Sequence, residues 1–507
     1  MARLHFRGAS VAAHAGGCGS RRTVLSASLS VLWGLAGAAA VAQEASLSTR
    51  IEAALFRLGP HTISAVRVLA LPQGDVLYER NPDLSLNPAS NMKLLTSAAA
   101  LAKLGPEYRF STRVLAERGP ERRGKVRGDL CLVGGGDPVL ETDDLEHLAD
   151  DVRAAGVREV SGDLVVDDYR FDDVRLGSGW EWDDEPFYYA AQISALSVNR
   201  GIVTIAARPG PQAGAPADVR IEPVAGEVSV VSEVRTGPEG SESRLVAARL
   251  RGSNELRVTG SVPVGAAEPV RQVRTIENPQ RYAGALFRKL LQDRGVRVRG
   301  RITRRPAPSG AVEVATRPSP PLAEIAALLN KPSDNLVAEM LLKEIGYRHR
   351  GVGSAEAGSA AIEAWLREIG INPAGMRVAD GSGLSRHDLV TARLVSSLLL
   401  HAEGQPWHAA FLASLPIGGV DGTLRNRMRS TAAAQRVLAK TGTLSNVSAL
   451  SGYVTTTGGR RMVFSVLINH HGGPISAKRV EDTIAVALAE APEAELRAAS
   501  APGFSPE

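Results

Sequence analysis

The chain has 507 residues, 44% hydrophobic and 22% charged, with 51 Gly and 29 Pro. That length exceeds what one hydrophobic core usually serves, which predicts two or three domains, and the balanced composition excludes a disordered or collagen-like polymer. The formal net charge of +5 gives no case for nucleic acid, because the only charged residues in 1–42 are Arg3, Arg7, Arg21 and Arg22, and without them 55 basic residues face 54 acidic ones.

Residues 1–42 read as a signal peptide. Arginines precede an apolar stretch from Val24 to Ala38, and Ala40-Val41-Ala42 before Gln43 has the small-x-small form of a signal-peptidase site. The stretch is shorter than the ~20 residues a bilayer-spanning helix needs. The expectation is an exported protein on the periplasmic or cell-wall side of the cytoplasmic membrane, with at most peripheral membrane association. Ser20-Arg21-Arg22 also has the form of a twin-arginine signal, so the export route stays open. Cys18 leaves with this leader, and no long apolar run precedes it as a lipid-attachment site would require. Cys131 then stands alone and cannot form an internal disulfide. The histidines form no chelating pair, since His470 and His471 are expected to be neighbours on a strand pointing to opposite faces, so neither a metal nor another cofactor is expected.

In chain order, the pattern predicts a helix from Thr49 to Leu58, strands over 63–71 and 76–80, and a Leu/Ala-rich helix from Met92 to Leu104 with no polar face, hence buried all round. The middle of the chain is β-rich. Val-x-Gly-x-aliphatic recurs at Val126 to Leu130, Val160 to Leu164, Val258 to Val262 and Val298 to Ile302, each glycine marking a bulge or close backbone approach. Loop-like residues 208–218 and 237–242 suggest a small β domain nested inside a larger insert. A helix is predicted over 279–293, then a Pro-rich connector over 306–321. Helices follow at 322–329, 336–345, 354–369 and 391–403, then a hairpin of strands 447–455 and 461–469, and a last helix over 477–490. The tail from 493 to 507 is expected to be disordered.

Three short motifs carry chemistry. Ser90-Asn91-Met92-Lys93 places an amine one helical turn from a hydroxyl. Burial in an apolar helix disfavours the ammonium form, which turns Lys93 into a base able to activate Ser90, and the helix N-terminus favours negative charge developing beside it. Ser333-Asp334-Asn335 opens a helix, where Ser333 could equally be a plain N-cap. Lys440-Thr441-Gly442-Thr443 is the only Lys-Thr-Gly in a chain with eight lysines and 51 arginines. A lysine at a strand end, followed by a glycine that lets another segment approach, suits an electropositive carboxylate site.

Ser-x-x-Lys, Ser-Asp-Asn and Lys-Thr-Gly in this order resemble the penicillin-binding and β-lactamase superfamily of active-site serine enzymes. The separation of 243 positions between Ser90 and Ser333 is too long for a compact β-lactamase. An insert directly after the first motif is similar to the low-molecular-mass class C penicillin-binding proteins, the D-Ala-D-Ala carboxypeptidase/endopeptidase family. Gly134 to Pro138, Trp180 to Pro186, Asp380 to Arg386 and Gly419 to Leu424 add to that resemblance, which covers about residues 45 to 490.

The resemblance implies an α+β multidomain fold. A transpeptidase-like domain (43–108 and 316–492) would hold an inserted domain (109–205 and 270–315) with a nested β domain (206–269). It further implies Ser90 as nucleophile, Lys93 as general base, and Ser333 and Asn335 as proton relay and peptide-amide holder. Lys440 with Thr441, Gly442 and Thr443 would form the carboxylate site, and the N–H groups of Ser90 and Thr443 the oxyanion hole. Leu384, Arg386 and one of Asp183 and Asp184 would line the pocket for the substrate side chain, a carboxylate there suiting a free amino group. The implied substrates are peptidoglycan stem peptides ending in D-Ala-D-Ala, with β-lactams as inhibitors. Glu368 and Asn372 imitate the spacing of a lactamase deacylating pair, but Gly370 reads as the C-cap of a helix ending there. The rival readings are a β-lactamase or esterase on the same scaffold, and a wall-binding protein without turnover.

Overall fold

The computed structural model describes residues 45–473 and 475–498. The expected signal peptide and residues 499–507 lie outside them. Both ends of the described chain build one antiparallel sheet, in the order Val437–Leu444, Val447–Thr455, Arg461–Asn469, Ile63–Ala70, Val76–Arg80. The N-terminal strand pairs with the late hairpin from Ile63 opposite Asn469 to Ala70 opposite Met462. The central strands are buried almost throughout, because helices cover both faces. Leu47–Phe56 and Ala477–Ala489 pack on one face around Ile51, Phe464 and Ile484. On the other face lie Met92–Leu104, Leu322–Asn330, Asn335–Arg350, Ala355–Glu368 and Ala392–Ala402. Every residue from Met92 to Leu101 is buried, as the missing polar face of that helix requires.

The insert holds a five-stranded sheet, Ile302–Arg304, Leu164–Asp167, Leu130–Val133, Ser111–Ala116, Val312–Pro318, with helices Thr142–Ala154 and Pro279–Asp293. Three of the four Val-x-Gly-x-aliphatic segments step from a short parallel sheet (Lys125–Val126, Glu159–Val160, Arg297–Val298) into this larger one. Their glycines stack: Gly162 N–H donates to Gly128 O and Gly300 N–H to Gly162 O, each at 2.8 Å. A Cβ at 300 would sit 2.5 Å from Gly162 O, so glycine is required by close approach. Farther out lie two three-stranded sheets, one of 229–237, 255–263 and 244–249, the other of 270–275, 202–208 and 218–222. The second straddles the boundaries expected at 205 and 270.

Four expectations need correcting. The Pro-rich connector contains the strand Val312–Pro318, paired with Ser111–Ala116 at a sheet edge, where proline's missing N–H is tolerated. Thr142–Ala154 is a helix, with Leu145, Leu148, Ala149 and Val152 buried at helical spacing. His470 lies just past the strand end with φ 58°, so it and His471 do not share a strand. The tail expected to be disordered from 493 begins with a short helix, Glu493–Ala498, in which Leu496 is buried and Glu495 accepts a 2.7 Å hydrogen bond from Leu47 N–H.

Candidate active site

Ser90 occupies a single 3-10 turn, Ala89–Asn91, directly before the buried helix. Lys93 is fully buried, and its ammonium donates to Ser90 Oγ at 3.0 Å, Asn335 Oδ1 at 2.6 Å and Ser382 O at 2.7 Å. Loss of hydration pulls Lys93 down to about 8, against the opposing pull of Asp380 and Glu339. A lysine in this range can exist as a free amine while it stays within hydrogen-bonding distance of the Ser90 hydroxyl.

Asp334, not Ser333, is the N-cap of Asn335–Arg350, its carboxylate accepting from Val337 N–H. Asn335 is therefore the first residue of that helix and points its amide into the site. Its Nδ2 donates to Tyr189 O at 2.7 Å, which ties a loop of the insert over the serine. Ser333 has φ 67°, a left-handed conformation that costs a serine about 1–3 kcal/mol. That backbone presents Ser333 Oγ to Lys440 Nζ at 2.8 Å.

Lys440 is fully buried on the edge strand of the main sheet. Burial, reinforced by Lys93, pulls its ammonium well below the usual lysine range. On the same strand Ala439 N–H points outward to Pro416 O, so the N–H groups of Thr441 and Thr443, at the same parity, also point off the sheet edge. Thr443 and Ser90 line one cleft of about 430 Å³. Thr441 Oγ1 meets Thr423 Oγ1 at 2.8 Å. A Cβ at Gly442 would stand 2.5 Å from Pro88 O, so the glycine lets this strand close on the serine turn.

The cleft is also lined by Ser333, Asn335, Leu384, Arg386, Asp184, Glu181, Tyr188 and Tyr189. Arg386 bridges its walls, binding Glu181 at 2.9 Å and Ser445 O at 3.2 Å. Of the two aspartates, Asp184 lines the cleft and accepts from Tyr189 Oη at 2.8 Å, while Asp183 is exposed and not part of its wall. Glu368 is also outside the cleft, on the surface in an ion pair with Lys103. The sequence reading missed Glu181, the two tyrosines and a set of buried acids behind Lys93. Glu339 accepts from Gly381 and Ser382 N–H, and Asp380 accepts from Ser382, Gly383 and Ser385 N–H and from Trp180 Nε1. Asp388 accepts from Ala379 and Asp380 N–H. These acids shape the 380–386 turn so that the Ser382 carbonyl faces Lys93. Position 339 follows Asn335 by one turn, the spacing from which an inward-facing partner could have been found.

Residues 47–491 match the family described as D-Ala-D-Ala carboxypeptidase 3 (S13). The chain is 45% identical to D-alanyl-D-alanine carboxypeptidase of Actinomadura sp., over 84% of this chain and 81% of that one. It is 27% identical to D-alanyl-D-alanine carboxypeptidase DacB of Haemophilus influenzae, over 80% and 85%. The crystal structure of penicillin binding protein 4 from Haemophilus influenzae superposes with a TM-score of 0.76 at 25% identity, covering 87% of this chain and 99% of that one.

Proposed function

This chain belongs to the D-Ala-D-Ala carboxypeptidase 3 (S13) family, and from that premise and the site geometry we propose a serine-type D-Ala-D-Ala carboxypeptidase acting on peptidoglycan stem peptides through a Ser90 acyl-enzyme. The observation that carries the residue roles is the 3.0 Å contact between a buried, easily deprotonated Lys93 and Ser90 Oγ.

Neutral Lys93 takes the Ser90 proton as Oγ attacks the carbonyl of the penultimate D-alanine. The oxyanion is met by the N–H groups of Ser90 and Thr443. The C–N bond then breaks, the proton passes through Ser333 to the departing amine, and D-alanine leaves. Water, deprotonated by Lys93, hydrolyses the ester and frees the shortened peptide. The terminal carboxylate lies against Thr441 and Thr443, where its charge favours the ammonium form of Lys440 just behind them. Asn335 holds the peptide amide. Leu384, Arg386, Asp184 and Glu181 take the preceding side chain, and the two carboxylates suit an amino group there. Endopeptidase cleavage of D-Ala-linked cross-bridges uses the same acyl-enzyme, because the bond broken again follows a D-alanyl carbonyl. β-Lactams acylate the same serine and leave slowly, since Glu368 lies outside the cleft and no lactamase-type base is supplied from there.

Export by the 1–42 leader places this activity on the periplasmic or wall side of the membrane. No helix among the described residues is long and apolar enough to cross a membrane. Mass spectrometry after brief exposure to penicillin tests the assignment. A long-lived adduct on Ser90, absent in Ser90→Ala, together with D-alanine release from a D-Ala-D-Ala peptide, is expected. Rapid lactam turnover without an adduct would favour the β-lactamase reading.

A further inference from the structure

A second cleft, of about 560 Å³, lies at the opposite end of the helix that begins at Asn335. One wall is the inserted sheet, where Ser111, Arg113 and the cross-strand neighbour Val133 share a face; the other is the helix end carrying Tyr347 and Arg348. We propose that this cleft binds a carboxylate-bearing segment of the peptidoglycan polymer whose stem peptide occupies the catalytic cleft, holding the enzyme on its insoluble substrate.

Charge gives the sign of the ligand. Arg109, Arg113, Arg170 and Arg348 line the cleft, and Asp167 is the single carboxylate among its described lining residues. Arg170 is neutralised by a bidentate pair with buried Glu344, at 2.6 and 2.7 Å, and its guanidinium lies 4.0 Å over the Tyr347 ring, which makes that wall rigid. Arg109 spends one N–H on Ser319 O, and Asp167 already accepts from Tyr169 and Ala307 N–H. Arg113 faces the cleft with its whole guanidinium fork, while Arg348, whose Nε lies 3.9 Å from Glu344 and whose guanidinium lies 5.2 Å over the Tyr108 ring, and Arg109 keep their remaining N–H groups for a ligand, the geometry that pairs with carboxylates. The rings of Tyr347, Tyr169 and Tyr108 each carry a guanidinium over one face, of Arg170 at 4.0 Å, Arg304 at 4.6 Å and Arg348 at 5.2 Å, which fixes these charges against the cleft wall.

Distance gives its length. Arg348 lies 13 positions beyond Asn335, roughly 20 Å along the helix, so a molecule that reaches both clefts is longer than an extended stem pentapeptide of roughly 17 Å. Two sites on one polymer raise apparent affinity without strengthening either contact. The inference rests on the carboxypeptidase reading for the identity of the polymer.

The test uses the full-length protein and purified peptidoglycan sacculi stripped of phosphate polymers. Arg113→Glu/Arg348→Glu should sediment with sacculi about tenfold more weakly than the unsubstituted protein. Blocking the sacculus carboxylates as amides should weaken the unsubstituted protein more than the double variant, since amidation also blocks the stem-peptide termini that both proteins hold in the catalytic cleft. Acylation by penicillin and hydrolysis of a short D-Ala-D-Ala peptide should be unchanged in the double variant, which also reports that it is folded. Equal binding by both proteins would overturn the proposal, as would binding that needs the phosphate polymers and ignores carboxylate blocking. If the unsubstituted protein neither acylates nor hydrolyses the short peptide, the carboxypeptidase reading fails, while the binding comparison still decides whether the cleft recognises carboxylates. Should the double variant fail to acylate, Arg113→Gln alone, on an exposed strand position, carries the same comparison.

Discussion

Lys93 Nζ donates a 2.6 Å hydrogen bond to Asn335 Oδ1, joining the serine helix to a helix that starts beyond the whole insert. The same amide donates from Nδ2 to Tyr189 O of the insert. The Lys93 amine is thus held by both the shared sheet-and-helix scaffold and the inserted loop, and its orientation toward Ser90 depends on all three segments meeting.

The rate of acylation by penicillin should rise with pH through about 8, because the reacting species is the neutral amine and burial brings Lys93 to that value. Lys93→Arg keeps the positive charge at every pH in use, so it should slow acylation by at least about 100-fold. Stopped-flow acylation alongside thermal unfolding separates the loss of the base from a loss of fold. Near-normal acylation in the variant would remove Lys93 from the mechanism.

Glu339→Gln should shift that pH limb to lower pH by up to about one unit. The sign follows from charge: an ionised Glu339 favours the Lys93 ammonium, so its removal makes the lysine easier to deprotonate. Burial, with Asp380 nearby, already pushes Glu339 toward its protonated form, to which glutamine is isosteric, and the fold should persist. An unshifted limb with intact acylation would mean that Glu339 stays protonated throughout that range and exerts no charge on Lys93.

The residues that the structure brings together around Ser90 were legible because each sits in a short motif whose pattern is local: Ser90 and Lys93 one turn apart, Ser333 to Asn335 at a helix start, Lys440 to Thr443 on one strand. The two chain ends joined in one sheet were legible from the separation of those motifs. What was hidden is what only tertiary packing creates. Tyr189 acts through its backbone carbonyl, which any residue could supply. Glu339 interrupts an apolar helix in the way a solvent-facing acid would, and only its place one turn after Asn335 hinted that it faces inward. The strand Val312–Pro318 was masked by prolines that an edge position tolerates. The helix Thr142–Ala154 did carry a readable spacing of buried residues, overlooked among its β-rich neighbours.

Gly442→Ala should impair acylation far more than stability would suggest. The new methyl group would meet Pro88 O at 2.5 Å, and relief requires the Lys440 strand and the Ser90 turn to part by several tenths of an ångström. Such misplacement of Thr443 N–H relative to Ser90 should weaken the proposed oxyanion hole, where one lost donor costs about 100-fold or more. The acylation rate constant, measured with the unfolding midpoint, checks this; a wild-type rate would show that the strand can move without consequence.

Asp137 offers a test of the insert that is independent of catalysis. Its carboxyl is almost fully buried, accepts a 2.9 Å hydrogen bond from Val139 N–H, and is pushed up to about 7 by loss of hydration. In the unfolded chain the same group titrates near its ordinary value of about 4. The folded state therefore holds a proton that the unfolded state has released between those values, and this group's contribution makes stability fall as pH rises through that window. Asp137→Asn keeps an oxygen for Val139 and cannot ionise. It should match the natural protein near pH 4 and exceed it progressively up to pH 8, by at most about 4 kcal/mol. Urea unfolding of both proteins from pH 4 to 8 isolates this group from other buried acids, because their contributions cancel in the difference. A difference that does not change with pH would mean that Asp137 stays ionised in the folded protein.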